Sequence, residues 1–419
     1  MRRIGLVLAA VLVLAGAAAK PLAHHGTAPP SQWVGSWATP QQIPEARNAL
    51  PPEALSDATL RQAVHLSLGG KTLRVHLSNV FGTEPLHLTA AHIARPSLIL
   101  GGIDVPSDRA LTFAGRADVT IPAGAEYVSD PVQFDSPPLG NVAITLHYDQ
   151  APTQQTSHPG SRATSYYAKG DFVSASELPN ATAVEHWFQI EGIDVLAPPD
   201  AASVVVLGDS ITDGHGATTD GNNRWTDLLA RRLAASPATS HIAVLNKGIG
   251  GGRVLFDGLG PSALARFDRD VLGPAGVKWL IVLEGINDLD TLTREAPARP
   301  EAHAERVAAL IAGYEQIVTR AHAHGLKVYG ATILPGMGST YYHPDAGNEA
   351  DRQAVNAWIR EKGHFDAVID FDAVMRDTTN PAWLLPALDS GDHLHPNPRG
   401  FQAMADAVNL SLFAASRRK

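Results

Sequence analysis

The run Val204-Val205-Val206-Leu207-Gly208-Asp209-Ser210-Ile211-Thr212-Asp213-Gly214 constrains this chain more than any other stretch. Its first four residues are β-branched or apolar without alternation, the pattern of a buried strand. Gly208 stops the run, and a serine follows two residues later. A polar loop then leads to a helical segment, Trp225 to Ala235. A serine at the carboxyl end of a central strand stands where open α/β sheets hold their ligands. It also lies near the positive end of any helix that starts there.

From Ala197-Pro198-Pro199-Asp200 onward, strand and helix patterns alternate. The strand candidates are 203–207, 242–245, 277–283, 327–334 and 367–371. The clearest helix covers about 302–323, where Val307, Leu310, Ile311, Tyr314, Val318 and Ala321 share one face. Gly325 is its stop, and a last helix is expected over 398–415. This rhythm predicts an α/β domain over 203–415, with a parallel sheet covered on both faces.

Residues 33–196 read differently. Val64, Leu66 and Leu68 alternate with polar residues, as do Leu73, Val75 and Leu77, with Gly69-Gly70 between them. That pattern predicts a β-hairpin. Val142, Ile144 and Leu146 repeat it, so a mainly β domain of sandwich or jelly-roll type is expected. Ser157-His158-Pro159-Gly160 reads as a polar loop, with little in the sequence to place it at the crevice.

Three further blocks follow the serine in order: Asn246-Lys247-Gly248-Ile249-Gly250-Gly251, Gly285-Ile286-Asn287-Asp288, and Asp392-His393-Leu394-His395-Pro396. Taken alone, each has a plain structural reading as a turn, a cap or a surface histidine. As an ordered set they resemble the SGNH hydrolases, also called GDSL esterases and lipases, over about 203–415. That resemblance implies a three-layer, flavodoxin-like α/β domain, with a β-domain ahead of it in many exported members.

Ester cleavage needs a nucleophile, a base, a group that orients the base and donors for the oxyanion. Ser210 is the candidate nucleophile and His395 the candidate base. Asp392, three residues earlier, shares a face with His395 if the segment makes one turn. The resemblance implies oxyanion donors at Ser210 N–H, Gly251 N–H and the Asn287 amide. Asp209 and Asn246 are expected to support the loops. Tyr341, Tyr342 and Trp383 are candidates for lining a sugar or acyl pocket.

Other motifs fail on spacing. Arg253 stands where G-x-G-x-x-G needs its last glycine, and Thr212 stands where G-x-S-x-G needs one. His322-Ala323-His324 and His24-His25 lack a third ligand, so no metal is expected. No cofactor is called for.

Composition narrows the rest. A net charge of -9 argues against a nucleic-acid partner. The absence of cysteine excludes disulfides, thiolate zinc sites and a cysteine nucleophile. Met1-Arg2-Arg3 followed by an apolar run to Ala19 reads as a signal peptide over 1–19, with a linker over 20–32. The run is shorter than the roughly 20 residues of a spanning helix. The expectation is an exported protein, secreted or periplasmic, with no stable membrane span after cleavage. Its expected partner is a small-molecule or polysaccharide ester, and the reaction is hydrolysis of short acyl, O-acetyl-type esters. The alternatives are a long-chain lipase or phospholipase, acyl transfer to a sugar, and a carbohydrate-binding or envelope protein working through its β-domain.

Overall fold

The computed structural model describes residues 31–414. The expected signal peptide, most of the linker and His24-His25 lie outside the described residues. Among the described residues, no helix is long and apolar enough to cross a membrane.

The first half is two antiparallel sheets packed face to face. One holds Gln32–Ala38, Ile190–Ala197 and Gly70–Ser78, with Glu126–Val128 and Val132–Ser136 beside the last. The other runs from Thr182–Val184 through Ser165–Lys169, Ala58–His65, Asn141–Tyr148 and Leu86–Pro96 to Ile103–Ala110. Leu60, Val64, Leu73, Val75, Ile144 and Ile193 fill the space between them, each fully or almost fully buried.

The expected hairpin around Gly69-Gly70 is not there. Ala58–His65 and Gly70–Ser78 lie in different sheets, so the chain crosses the sandwich between them. Alternation buries one face of each strand whether the two pair side by side or face each other across a core. Gly69 serves close packing here: a Cβ on it would stand 2.5 Å from Pro138 N.

The chain changes architecture between Ala197 and Ala202. The second half is a five-stranded parallel sheet of Ala202–Gly208, Ile242–Gly248, Val277–Leu283, Lys327–Ala331 and Ala367–Ile369. Numbered along the chain, their order across the sheet is 2-1-3-4-5. Alternate residues of the first strand feed opposite layers. Val204 and Val206 pack with the helices Trp225–Ala235 and Pro398–Ala407. Val205 and Leu207 pack with Ala263–Phe267 and Pro300–Ala323.

Two helices differ from expectation. The last one ends at Ala407, where Val408 turns extended, and Leu410–Phe413 forms a separate 3-10 turn. Ala346–Arg360 is a helix the sequence reading lacks. Its buried face carries Asn348, Asp351, Arg352 and Asn356 besides Val355 and Ile359, so no apolar stripe marks it. The visible signal is Asp345, which caps Gly347 N and Asn348 N while Asn348 reaches back.

The β-sandwich covers the open edge of the parallel sheet. Ala243, on edge strand Ile242–Gly248, belongs to the sandwich core. Val244 N on that strand donates to Ser67 Oγ at 3.0 Å. An edge with unpaired backbone groups is thereby closed.

Candidate active site

The first strand of the parallel sheet, Ala202–Gly208, feeds a four-residue helix, Ser210–Asp213. Asp209 starts it: its Oδ1 accepts from Ile211 N at 2.9 Å. Strand order 2-1-3-4-5 makes the end of this first strand the switch point of the sheet, where a crevice opens. Ser210 stands there, with Gly214 N and His215 N both donating to its carbonyl at 2.9 Å.

Ser210 Oγ lies 2.7 Å from His395 Nε2, and His395 Nδ1 lies 2.6 Å from Asp392 Oδ2. Asp392 Oδ1 accepts from Leu394 N at 3.0 Å and from His395 N at 2.8 Å. The segment is an open turn with His393 at φ +62°, not a helical turn, but it still presents both side chains together. Partial burial would raise the Asp392 pKa. The hydrogen bond and charge of His395, with the two backbone donors, instead hold it well below the usual carboxylate range. An ionised Asp392 keeps the His395 proton on Nδ1 and leaves Nε2 free to accept from Ser210.

The expected oxyanion donors surround this group. Ser210 N and Gly251 N have no acceptor among the described residues, nor has Gly250 N, whereas Gly252 N donates to Ile249 O at 2.9 Å. Gly251 has φ +68°, a region that favours glycine. Asn287 is buried, and its Nδ2 donates to Gly252 O at 2.7 Å. One amide hydrogen of that group remains. The Gly252 carbonyl only accepts, which fixes which end of the amide is which, and Tyr342 Oη donates to Asn287 Oδ1 at 2.5 Å. Tyr342 is therefore a buried holder of Asn287 rather than a pocket wall. Tyr341 is exposed, and Trp383 packs edge-on against the His393 ring.

Asn246 joins three elements. Its Nδ2 donates to Thr212 O at 2.6 Å and Thr226 Oγ1 at 3.0 Å, and its Oδ1 accepts from Gly248 N at 2.9 Å. Below the crevice, a fully buried Arg266 donates to Gly208 O at 3.1 Å and Lys247 O at 2.6 Å. It ties together the carbonyl ends of the first two strands. Burial raises the Asp209 pKa well above its ordinary value, and neighbouring Glu284 adds to this. Burial also raises Glu284, to about 7, against the pull of Arg266.

Three contributors escaped the sequence reading. His158 is not a free polar loop: it pairs with Asp213 at 2.8 Å, three residues past the serine. His215 lies with its ring centroid 4.1 Å from that of His395. Arg162, from the β-domain, reaches His215. Only the glycines flanking His215, Gly214 and Gly216, hinted at a built turn there; both have positive φ. His215, Asp392 and His395 bring ligand-type atoms within 4.8 Å of one another. Asp392 is already bound to His395, and His395 to Ser210, an acid–base arrangement rather than a metal cage. The paired His322 and His324 stay apart from the site; His322 bonds Asp366 at 2.8 Å.

A cavity of about 310 Å³ lies between the two domains, lined by Trp37, His65, Tyr166, Trp187 and Asn222 among others. It reaches Asp213 and Arg224 but not Ser210, Asp392 or His395, so it is separate from the reactive crevice.

Residues 206–403 match the GDSL-like Lipase/Acylhydrolase family. A GDSL-like lipase from Bacteroides thetaiotaomicron is 18% identical, over 50% of this chain and 87% of that one, with a TM-score of 0.36. An acetylxylan esterase from Geobacillus stearothermophilus is 22% identical, over 52% and 97%, with a TM-score of 0.38. An α/β hydrolase enzyme from the metagenome of Lake Arreo, Spain, is 22% identical, over 49% and 94%, with a TM-score of 0.36. No curated protein matches the chain.

Proposed function

The C-terminal half of this chain belongs to the GDSL-like lipases and acylhydrolases and is a carboxylic ester hydrolase; from that premise, we propose that the protein is an exported serine esterase acting on short acyl esters, O-acetyl groups of carbohydrates among them. The observation that carries the mechanism is the unbroken relay Ser210 Oγ–His395–Asp392, at 2.7 and 2.6 Å.

In this reading Ser210 Oγ attacks the ester carbonyl while His395 Nε2 takes its proton. Asp392 holds the resulting imidazolium by its Nδ1–H. Ser210 N–H, Gly251 N–H and the free Asn287 amide hydrogen meet the oxyanion. The tetrahedral intermediate collapses, His395 returns the proton to the departing alcohol, and an acyl-Ser210 ester remains. Water, deprotonated by His395, then attacks that ester; the acid departs and His395 returns the proton to Ser210 Oγ.

The short-acyl reading rests on the loops around Ser210. They are polar and rich in glycine, and Leu259, 43% exposed, stands beside Gly251 as a small apolar surface. A tunnel would add about 0.8 kcal/mol per buried methylene. Export rests on the basic and apolar start of the sequence.

A p-nitrophenyl ester series tests this. Acetyl to butyryl esters are expected to give the highest kcat/KM, with a clear fall by octanoyl. A rate that climbs steadily to decanoyl favours the long-chain lipase reading instead.

A further inference from the structure

The β-domain approaches the ring of His215, beside His395, through Arg162. Arg162 sits at φ +47°, a left-handed backbone unusual for a long side chain. Its carbonyl accepts from Asp220 N at 3.0 Å, and Thr164 donates twice to the Asp220 carboxylate, at 2.7 and 2.6 Å. These bonds hold a backbone conformation that would not persist without them. From this seat Arg162 Nη2 lies 3.3 Å from His215 Nδ1.

A guanidinium can only donate. His215 Nδ1 must therefore be the bare nitrogen, and the ring proton sits on Nε2. That N–H lies 3.7 Å from Asp392 Oδ2. The same ring stands 4.1 Å from the His395 ring, tilted by 43°. The backbone N of His215 donates to Ser210 O at 2.9 Å. One residue thus meets all three members of the relay, and a residue of the other domain sets its tautomer.

We propose that His215 is a positioning residue for the Asp392–His395 pair, and that Arg162 of the β-domain fixes it as the neutral, Nε2–H tautomer. The inference rests on the serine-esterase reading of the site. It makes the β-domain part of the catalytic apparatus rather than an appended binding module.

The physical reason lies in charge. When His395 takes the Ser210 proton it becomes a cation, and a second cation 4.1 Å away would oppose that step. The groups that face His215 are Arg162 and His395, which disfavour its charge, and Asp392 and Asp213, which favour it. The side chain is half exposed; its partial burial, then His395 and Arg162 beside it, bring the His215 pKa down to about 4. The ring therefore stays neutral while His395 works, and its N–H adds a partial positive end toward Asp392.

The test uses the full-length chain and the variants His215→Phe, His215→Gln and Arg162→Met. Phenylalanine keeps a ring against His395 but loses the N–H. Its kcat on p-nitrophenyl acetate is expected to fall about tenfold or more, with KM within about twofold, the pattern of lost orientation rather than lost binding. Glutamine offers an amide N–H near the same place, cannot take a proton, and is expected to recover most of the rate. Arg162→Met removes one of the groups that disfavour charge on His215, so the acid limb of its kcat profile is expected to move to higher pH.

The ¹⁵N shifts of His395 in wild type and His215→Phe read positioning without any turnover. A change in the His395 tautomer balance is expected. Wild-type kcat, pH profile and His395 shifts in the phenylalanine variant would overturn the proposal. An inactive wild type with the His395 shifts altered by His215→Phe would instead overturn the esterase reading and leave the positioning intact.

Discussion

His158 Nε2 stands 2.8 Å from Asp213 Oδ1, and the two side chains, 3% and 4% exposed, come from different domains. The other ring nitrogen, Nδ1, faces Pro40 O at 2.9 Å. A carbonyl only accepts, so Nδ1 carries a proton. A second proton must lie between Nε2 and the carboxylate, since two acceptors cannot share a bond without one. This buried pair fastens the β-sandwich to the helix that begins with Ser210. Close packing backs it: a Cβ on Gly160 would overlap the Asp213 carboxylate, at 1.8 Å.

Breaking that pair from one side leaves a buried polar group without its partner. His158→Ala is expected to cost about 3–5 kcal/mol of unfolding free energy, the range for removing one partner of a buried pair. Urea unfolding followed by tryptophan fluorescence measures this. A loss below about 1 kcal/mol, the size for an exposed pair, would show that the contact carries little.

The Asn287 amide is held at both ends, by Tyr342 on its oxygen and Gly252 O on its nitrogen. Asn287→Ala is expected to lower kcat by about 10²–10³ with little change in KM, because the amide meets full negative charge only in the transition state. Tyr342→Phe leaves the amide in place but lets it turn, so a smaller fall of the same kind is expected. Steady-state kinetics on one ester separate the cases. A pure KM effect in either variant would assign the pair to substrate binding.

Much of the catalytic half was legible in the sequence. Val204 to Leu207 and Trp279 to Leu283 are apolar on both faces because helices cover both, and Leu310, Tyr314 and Ala321 mark the inward stripe of the longest helix. The candidate site residues were legible because each block is local: Asp392 and His395 meet within one turn, and Asp209 caps its own loop. His158, Arg162 and His215 were not, because each gains its meaning from a partner in another part of the chain. A polar inward face hid the helix Ala346–Arg360 for a related reason. Arg352 and Asn356 are buried against Asp372 and the carbonyl of Ile333, partners that periodicity cannot see.

Burial raises the Glu284 pKa from 4.5 to about 7 in the folded chain. Asp288 and Asp290 are raised in the same way, to about 6 and about 7. A carboxyl raised on folding binds more protons in the folded state between its unfolded and folded values, so it makes stability fall as pH rises through that window. Glu284→Gln removes one such group. Its stability relative to wild type is expected to improve by on the order of 2–3 kcal/mol from about pH 4 to about pH 8. Urea unfolding of both proteins across that range checks it. A difference that stays constant with pH would mean Glu284 is ionised throughout and held by Arg266.

The central claim is that Ser210 is the nucleophile and that His395 activates it. A p-nitrophenyl phosphonate, whose adduct mimics the oxyanion state, tests this directly when the labelled protein is digested and the modified peptide sequenced by mass spectrometry. The account predicts one label per chain, on Ser210, with p-nitrophenyl acetate turnover lost in step. It also predicts no label and no turnover in a folded Ser210→Ala, and much slower labelling in His395→Ala. A label on another residue, or ester cleavage that survives in Ser210→Ala, would contradict it.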